Sequence, residues 1–182
     1  MKLSQLRGEI VSNVPLHTGC IRIGFPNVGI FDHKYQRSIW DNSGTIILNG
    51  HISLGSGMRL SNSGEIEFGD NFNLNANSTI VCKKRIEFGR DVLISWDVLL
   101  MDTDFHEIYD KRDISKQVNP PKDIIIGDNV WIGCRCFIAK GCNVPSGCVI
   151  AAQSKVTGVA EEENSIIGDR MRIIKSDIRW KM

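Results

Sequence analysis

The sequence predicts an all-β fold, a single-stranded parallel solenoid wound in three-sided coils, and three observations carry that reading. Ile126, Ile132, Ile138, Val144, Ile150 and Val156 are all aliphatic and lie six residues apart without a slip. The residue four places after each of the first five is Val130, Cys136, Cys142, Cys148 or Ser154, a small or β-branched side chain suited to a crowded corner. The same step recurs upstream as Leu48, Leu54, Leu60, then Phe68, Leu74, Ile80, then Phe88, Ile94, Leu100, with two extra residues between triplets, so the early coils run 20 residues and the later ones 18. Each triplet gives one inward residue to each of three short strands, and one triplet makes one turn. An amphipathic helix would repeat at three and four, and a half-buried strand at two, so neither fits.

The elements follow in order along a single domain, residues 1–182. Residues 1–43 lack the clean period but contain Ile21-Arg22-Ile23 and Ile30-Phe31, broken by Pro15 and Pro26, and read as irregular first coils and a cap over an otherwise exposed backbone edge. Residues 44–158 are the regular column of at least five coils. Gly55, Gly69, Gly89, Gly127 and Gly133 directly follow inward positions, where neighbouring coils approach closely. Between Leu100 and Ile126 the period is interrupted, predicting a protruding loop at about 101–125 that ends on the stiff Pro120-Pro121 pair. After Thr157 the pattern dissolves into Glu161-Glu162-Glu163, read as a solvated turn, and a basic C-terminal segment, 159–182, carrying Arg170, Arg172, Lys175, Arg179 and Lys181.

Composition removes several function classes. Twenty-two Lys and Arg against 21 Asp and Glu leave a formal charge of +1, which offers no bulk attraction to nucleic acid. No apolar run reaches the ~18 residues of a membrane span, and Met1 to Ile10 is too polar for a signal peptide, so a cytoplasmic location is expected. Cys20, Cys82, Cys134, Cys136, Cys142 and Cys148 accordingly read as small buried residues in place of a disulfide framework. Trp131 precedes an inward isoleucine, should face outward, and is expected to pack at a subunit interface.

Long loops on rigid scaffolds carry function, and this one contains Asp102-Thr103-Asp104-Phe105-His106. His17 and His33 fall in the cap and His51 within an early coil, so His106 alone stands in the loop, placed to act as a general base near neutral pH. Asp102 and Asp104 could orient its imidazole or bind acceptor hydroxyls. The asparagines of Phe68-Gly69-Asp70-Asn71-Phe72-Asn73-Leu74-Asn75-Ala76-Asn77 alternate with apolar residues and point outward. Asn71, Asn73 and Asn77 are explained by tolerance of left-handed backbone angles, and Asn75 by its capacity to donate to and accept from a hydroxyl.

The stretch Ile126-Gly-Asp-Asn-Val-Trp-Ile-Gly-Cys134, continuing through Ile150-Ala-Ala-Gln-Ser-Lys-Val-Thr157, resembles the signature of the hexapeptide-repeat acetyltransferases, over roughly Leu48 to Lys175. That resemblance implies a left-handed parallel β-helix, a homotrimer with intersubunit active sites, and acetyl-CoA as donor. It also implies that Asn75 helps position a sugar or sugar-nucleotide acceptor and that His106 matches the family's base, assisted by Asp104. It points to coenzyme A contacts along the late coils: backbone at Gly133, Ala139, Ala151 and Ala152, then Lys155, Thr157, Arg172 and Lys175. Gly158 stands where members often carry a lysine, and Gly168-Asp169-Arg170 replaces a glycine-asparagine-proline turn, so phosphate contacts are expected to shift to Lys155, Arg172 or Lys175. The expected reaction is O-acetylation of a sugar, sugar nucleotide or surface-polysaccharide precursor by direct attack. N-acetylation of an amino sugar and a non-catalytic binding solenoid are the alternatives. No cysteine lies in the loop for a double displacement. No metal is expected, because a zinc site of this fold needs several converging histidines and the Asp102-Thr103-Asp104 metal motif belongs to an alternating α/β fold.

Overall fold

A computed structural model describes residues 1–25, 28–32 and 34–181. Pro26, expected as a break, and His33, assigned to the cap, lie outside the described residues. The chain forms a three-sided column of stacked parallel strands, a left-handed β-helix. The first face stacks Lys2–Leu6, Ile39–Asn42, Arg59–Asn62, Thr79–Cys82, Leu99–Met101, Phe137–Ala139 and Lys155–Val156. The second stacks Glu9–Ser12, Thr45–Leu48, Glu65–Phe68, Arg85–Phe88, Ile124–Ile126 and Asn143–Val144. The third runs Ile21–Phe25, Ile52–Gly55, Phe72–Leu74, Leu93–Ile94, Trp131–Ile132, Val149–Ile150 and Ile166–Ile167, and Ile173–Lys175 closes it antiparallel.

The fifteen residues read as inward, from Leu48 to Val156, are all buried, as are the corner residues Val130, Cys136, Cys142, Cys148 and Ser154. Phe68, Phe72 and Phe88 pack against one another inside the column, with ring centroids 4.6 to 5.4 Å apart. The glycines after inward positions are there because coils touch. A Cβ on Gly69 would sit 2.2 Å from the carbonyl oxygen of Gly89.

Both ends extend the repeat beyond the regular segment. Residues 2–25 form a complete first coil whose three strands pair parallel with the next, Lys2 opposite Ile39, Glu9 opposite Thr45 and Ile21 opposite Ile52. After Thr157 the pattern does not simply dissolve, since Ile166–Ile167 adds a further rung under Val149–Ile150. Glu161, Glu162 and Glu163 are exposed, as a solvated turn should be.

All six cysteines are free thiols, five of them buried and Cys134 half-buried. Burial pushes the Cys136 and Cys142 thiols up to about 11 and about 12, so neither offers a thiolate at neutral pH. Trp131 keeps 39% of its surface exposed. Its own chain covers part of the rest: Trp180 folds back with ring centroids 6.1 Å apart and donates its indole N–H to the Asn129 carbonyl at 2.5 Å.

Candidate active site

The loop leaves the column after Leu99–Met101 on the first face and rejoins at Ile124–Ile126 on the second, carrying a short antiparallel hairpin, Tyr109–Asp110 with Asp113–Gln117. It therefore stands in for one corner of the fifth coil. At the same corner of the two coils before, carbonyls of the next coil accept most of these N–H groups: Ser43 donates to Asn62, Ser63 to Cys82, Thr45 to Gly64 and Glu65 to Lys84, while Gly64 donates to the side-chain oxygen of Asn62. Lys83, Lys84 and Arg85 face the missing corner. The carboxylate of Asp102 replaces it, accepting the N–H of Lys83 at 2.8 Å, of Lys84 at 2.7 Å and of Arg85 at 3.0 Å. Asp102 is fully buried. Its expected part in binding an acceptor or orienting the imidazole is thereby corrected: all its capacity goes to closing a turn.

Asp104 is exposed and also engaged. Its Oδ2 accepts from Lys140 Nζ at 2.5 Å and from Asn119 Nδ2 at 2.9 Å. The Lys140 hydrogen bond, then that of Asn119, hold its carboxyl below the usual range. Lys140 Nζ also donates to the Asn119 carbonyl at 2.9 Å, while Asn119 donates to the His106 carbonyl at 2.8 Å and accepts the Ile108 N–H at 2.7 Å. Lys140 and Asn119 thus tie both ends of the loop to the coil beneath it. Sequence reasoning missed them, although the register held the signal: Met101 pairs with Ala139, which places Lys140 beside the point of departure.

His106 sits on the turn these contacts fix. Its N–H donates to the Asp104 carbonyl at 2.7 Å, and Phe105 before it adopts a left-handed φ of 61°. For a bulky residue that conformation is costly and persists only under tertiary restraint. The imidazole is exposed, and among the described residues no side chain hydrogen-bonds it. Neither aspartate orients it within one chain, contrary to the expected triad-like arrangement.

Asn75 lies at a different edge of the column, where the third face turns into the first. It is half-buried, its N–H donates to the Ile94 carbonyl at 2.8 Å, and its side-chain amide has no partner among the described residues. Asn71 and Asn77 do take left-handed φ of 57° and 59°, but Asn73 does not; it is a strand residue whose amide donates to the Asn71 carbonyl at 3.0 Å.

The backbone donors also separate. The N–H of Gly133 goes to Ile150 and that of Ala151 to Ile167, both at 2.9 Å, so neither is free to meet a ligand and both expectations are corrected. Ala139 lies at the loop edge, inside a strand paired with Met101. The exposed Ala152 is different: its N–H has no acceptor among the described residues, and Gly133 leaves it uncovered, since a Cβ there would come within 2.7 Å of that nitrogen. Ala152 shares its edge with Asn75. Lys155, Thr157, Arg172 and Lys175 are exposed at the end of the column, and the three cations have no ion-pair partner among the described residues. Lys155 Nζ lies 5.8 Å above the Phe137 ring, and its N–H donates to Asp169 at 2.6 Å.

A parallel three-sided column with one imidazole-bearing insert is the architecture of the left-handed β-helix acyltransferases. No family model matches the chain. WbbJ of Escherichia coli K12, assigned as a lipopolysaccharide biosynthesis O-acetyl transferase, is 31% identical over 144 residues, 74% of this chain and 73% of that protein. The galactoside O-acetyltransferase of the same strain is 37% identical over 92 residues, half of this chain and 44% of that one. The crystal structure of the polysialic-acid-specific acetyltransferase NeuO superposes with a TM-score of 0.66 over 97% of this chain and 85% of that one, at 21% identity, and shares the fold. The chain belongs to the hexapeptide-repeat O-acetyltransferase family.

Proposed function

We propose that this protein moves an acetyl group from acetyl-CoA to a hydroxyl of a sugar, sugar nucleotide or surface-polysaccharide precursor, in the cytoplasm, at sites between the subunits of a homotrimer. The observation that carries the reading is the split between edges: His106, rigidly based and unpartnered, projects at one edge of the column, whereas Asn75 and the free Ala152 N–H line another. Only a neighbouring protomer brings such groups together. The names of the relatives support the O-acetyl reaction and the polysaccharide setting. Among the described residues no helix is long and apolar enough to cross a membrane.

In this mechanism Asn75 holds the acceptor, and His106 takes the hydroxyl proton as oxygen attacks the thioester carbonyl. The Ala152 N–H lies three rungs from Asn75 on the same edge, about 14 Å along the column, where it serves the pantetheine arm of the donor. The C–S bond then breaks, and the imidazolium returns its proton to the departing thiolate, which leaves as free coenzyme A. Lys155, Arg172 and Lys175 supply cations for its phosphates. Replacing His106 with Ala is expected to lower kcat by about 10²- to 10⁴-fold with an unchanged melting temperature, followed by thiol release from acetyl-CoA across a panel of sugars. Turnover close to the parent's would refute the assignment.

A further inference from the structure

A second constellation lies at the opposite end of the column. His17, in the connection before Ile21–Phe25, and His51, just before Ile52–Gly55, meet with their Nε2 atoms 3.0 Å apart and ring centroids 4.9 Å apart. The other nitrogen of each ring faces an acceptor: His17 Nδ1 is 3.1 Å from the Thr18 carbonyl, and His51 Nδ1 is 3.4 Å from Asp70 Oδ1. Those acceptors favour a proton on Nδ1 of each ring, which directs the two Nε2 atoms to the space between the rings. At that spacing an Nε2–H of one ring donates to the Nε2 of the other, and a cation that displaces this proton would meet two imidazole lone pairs at once.

We propose that His17 and His51 chelate a late first-row divalent ion, of the class of Ni²⁺, Cu²⁺ or Zn²⁺. Two nitrogens at about 2.0 to 2.1 Å from one ion stand about 2.9 Å apart at a right angle and about 3.4 Å apart at a tetrahedral one, so the observed spacing favours the square or octahedral geometries of nickel and copper. Asp70 and the Thr18 carbonyl are the outer acceptors that metal-bound histidines characteristically have. No third His, Cys, Asp or Glu completes a cluster among the described residues, so water or a small ligand fills the remaining positions. There is room for one: a cavity of about 320 Å³ bounded by Val14, Pro15, Cys20 and Asn49 opens beside the pair. A bound ion would staple the first coil to the second.

The test is calorimetric titration of untagged protein with Ni²⁺ alone, and separately with Zn²⁺ alone. One equivalent is expected to bind and to raise the melting temperature. Binding is expected to vanish in His17→Ala and His51→Ala and to weaken about 10- to 100-fold in Asp70→Asn. His17→Gln and His51→Gln provide the same comparison if either alanine variant melts early without metal. No uptake by the parent protein would overturn the proposal and leave the hydrogen bond between the rings as the whole of the contact. Equal uptake by a variant lacking both histidines would overturn it too. Neither readout depends on acetyl transfer.

Discussion

The side chain of Asp102 performs what a missing stretch of backbone performs elsewhere. Three peptide N–H groups that would otherwise point at an absent corner are satisfied by one carboxylate. Charge-assisted bonds of this kind are worth more than neutral ones, and removal takes the acceptor from three backbone donors at once. Asp102→Ala is therefore expected to destabilise the protein by about 3 kcal/mol in chemical denaturation, whereas His106→Ala on the same loop should leave stability unchanged. From the sequence Asp102 and Asp104 looked equivalent, two carboxylates just upstream of a histidine. What separates them is a corner that exists only once the coils are stacked, which no local pattern displays. Ala152 was one of four small residues the sequence offered as donor contacts, but an N–H without an acceptor among the described residues emerges only when the hydrogen bonds of Gly133 and Ala151 are assigned.

At the scale of the loop, order depends on the contacts of Lys140 with Asp104 and the Asn119 carbonyl. Asp104 titrates below its ordinary value because the ammonium and the Asn119 amide stabilise its charged form. A depressed carboxylate adds stability above its unfolded pKa and loses it as pH falls through the folded one, so the clamp should hold through mild acid and release only below about pH 4. Hydrogen exchange of residues 103–119, followed as pH falls, should show protection lost in that range. Lys140→Met should lose it already at neutral pH, with kcat reduced by about 10- to 100-fold and KM for acetyl-CoA nearly unchanged, because the base is misplaced while the donor groove is intact. The existence of the loop was readable from a broken period of six. Its anchor was not, because a lysine at a solenoid corner is indistinguishable in sequence from a solvated one.

Across the whole molecule, the regular coils were legible because inward positions fall six apart within every triplet and are buried in the structure. The first coil was harder to read: its connections to the second are far longer than 20 residues, as the pairing of Lys2 with Ile39 shows, so the period is present in space but lost in the chain. Leu3, Ile10 and the other residues of that end remain largely exposed, which also deprives it of a strong apolar signal. Sequence singled out His106 and Asn75 as candidates but could not show that they occupy different edges of the prism.

That separation is the centre of the account, and subunit complementation tests it most directly. His106→Ala and Asn75→Ala proteins, each expected to be nearly inactive on its own, are co-refolded in equal amounts and assayed for acetyl transfer. If each site draws its imidazole from one protomer and its asparagine from the next, about a quarter of the sites in random mixed trimers contain both groups, and about a quarter of the parent activity returns. Activity no higher than that of the two separate variants, in mixtures shown to exchange subunits, would contradict it.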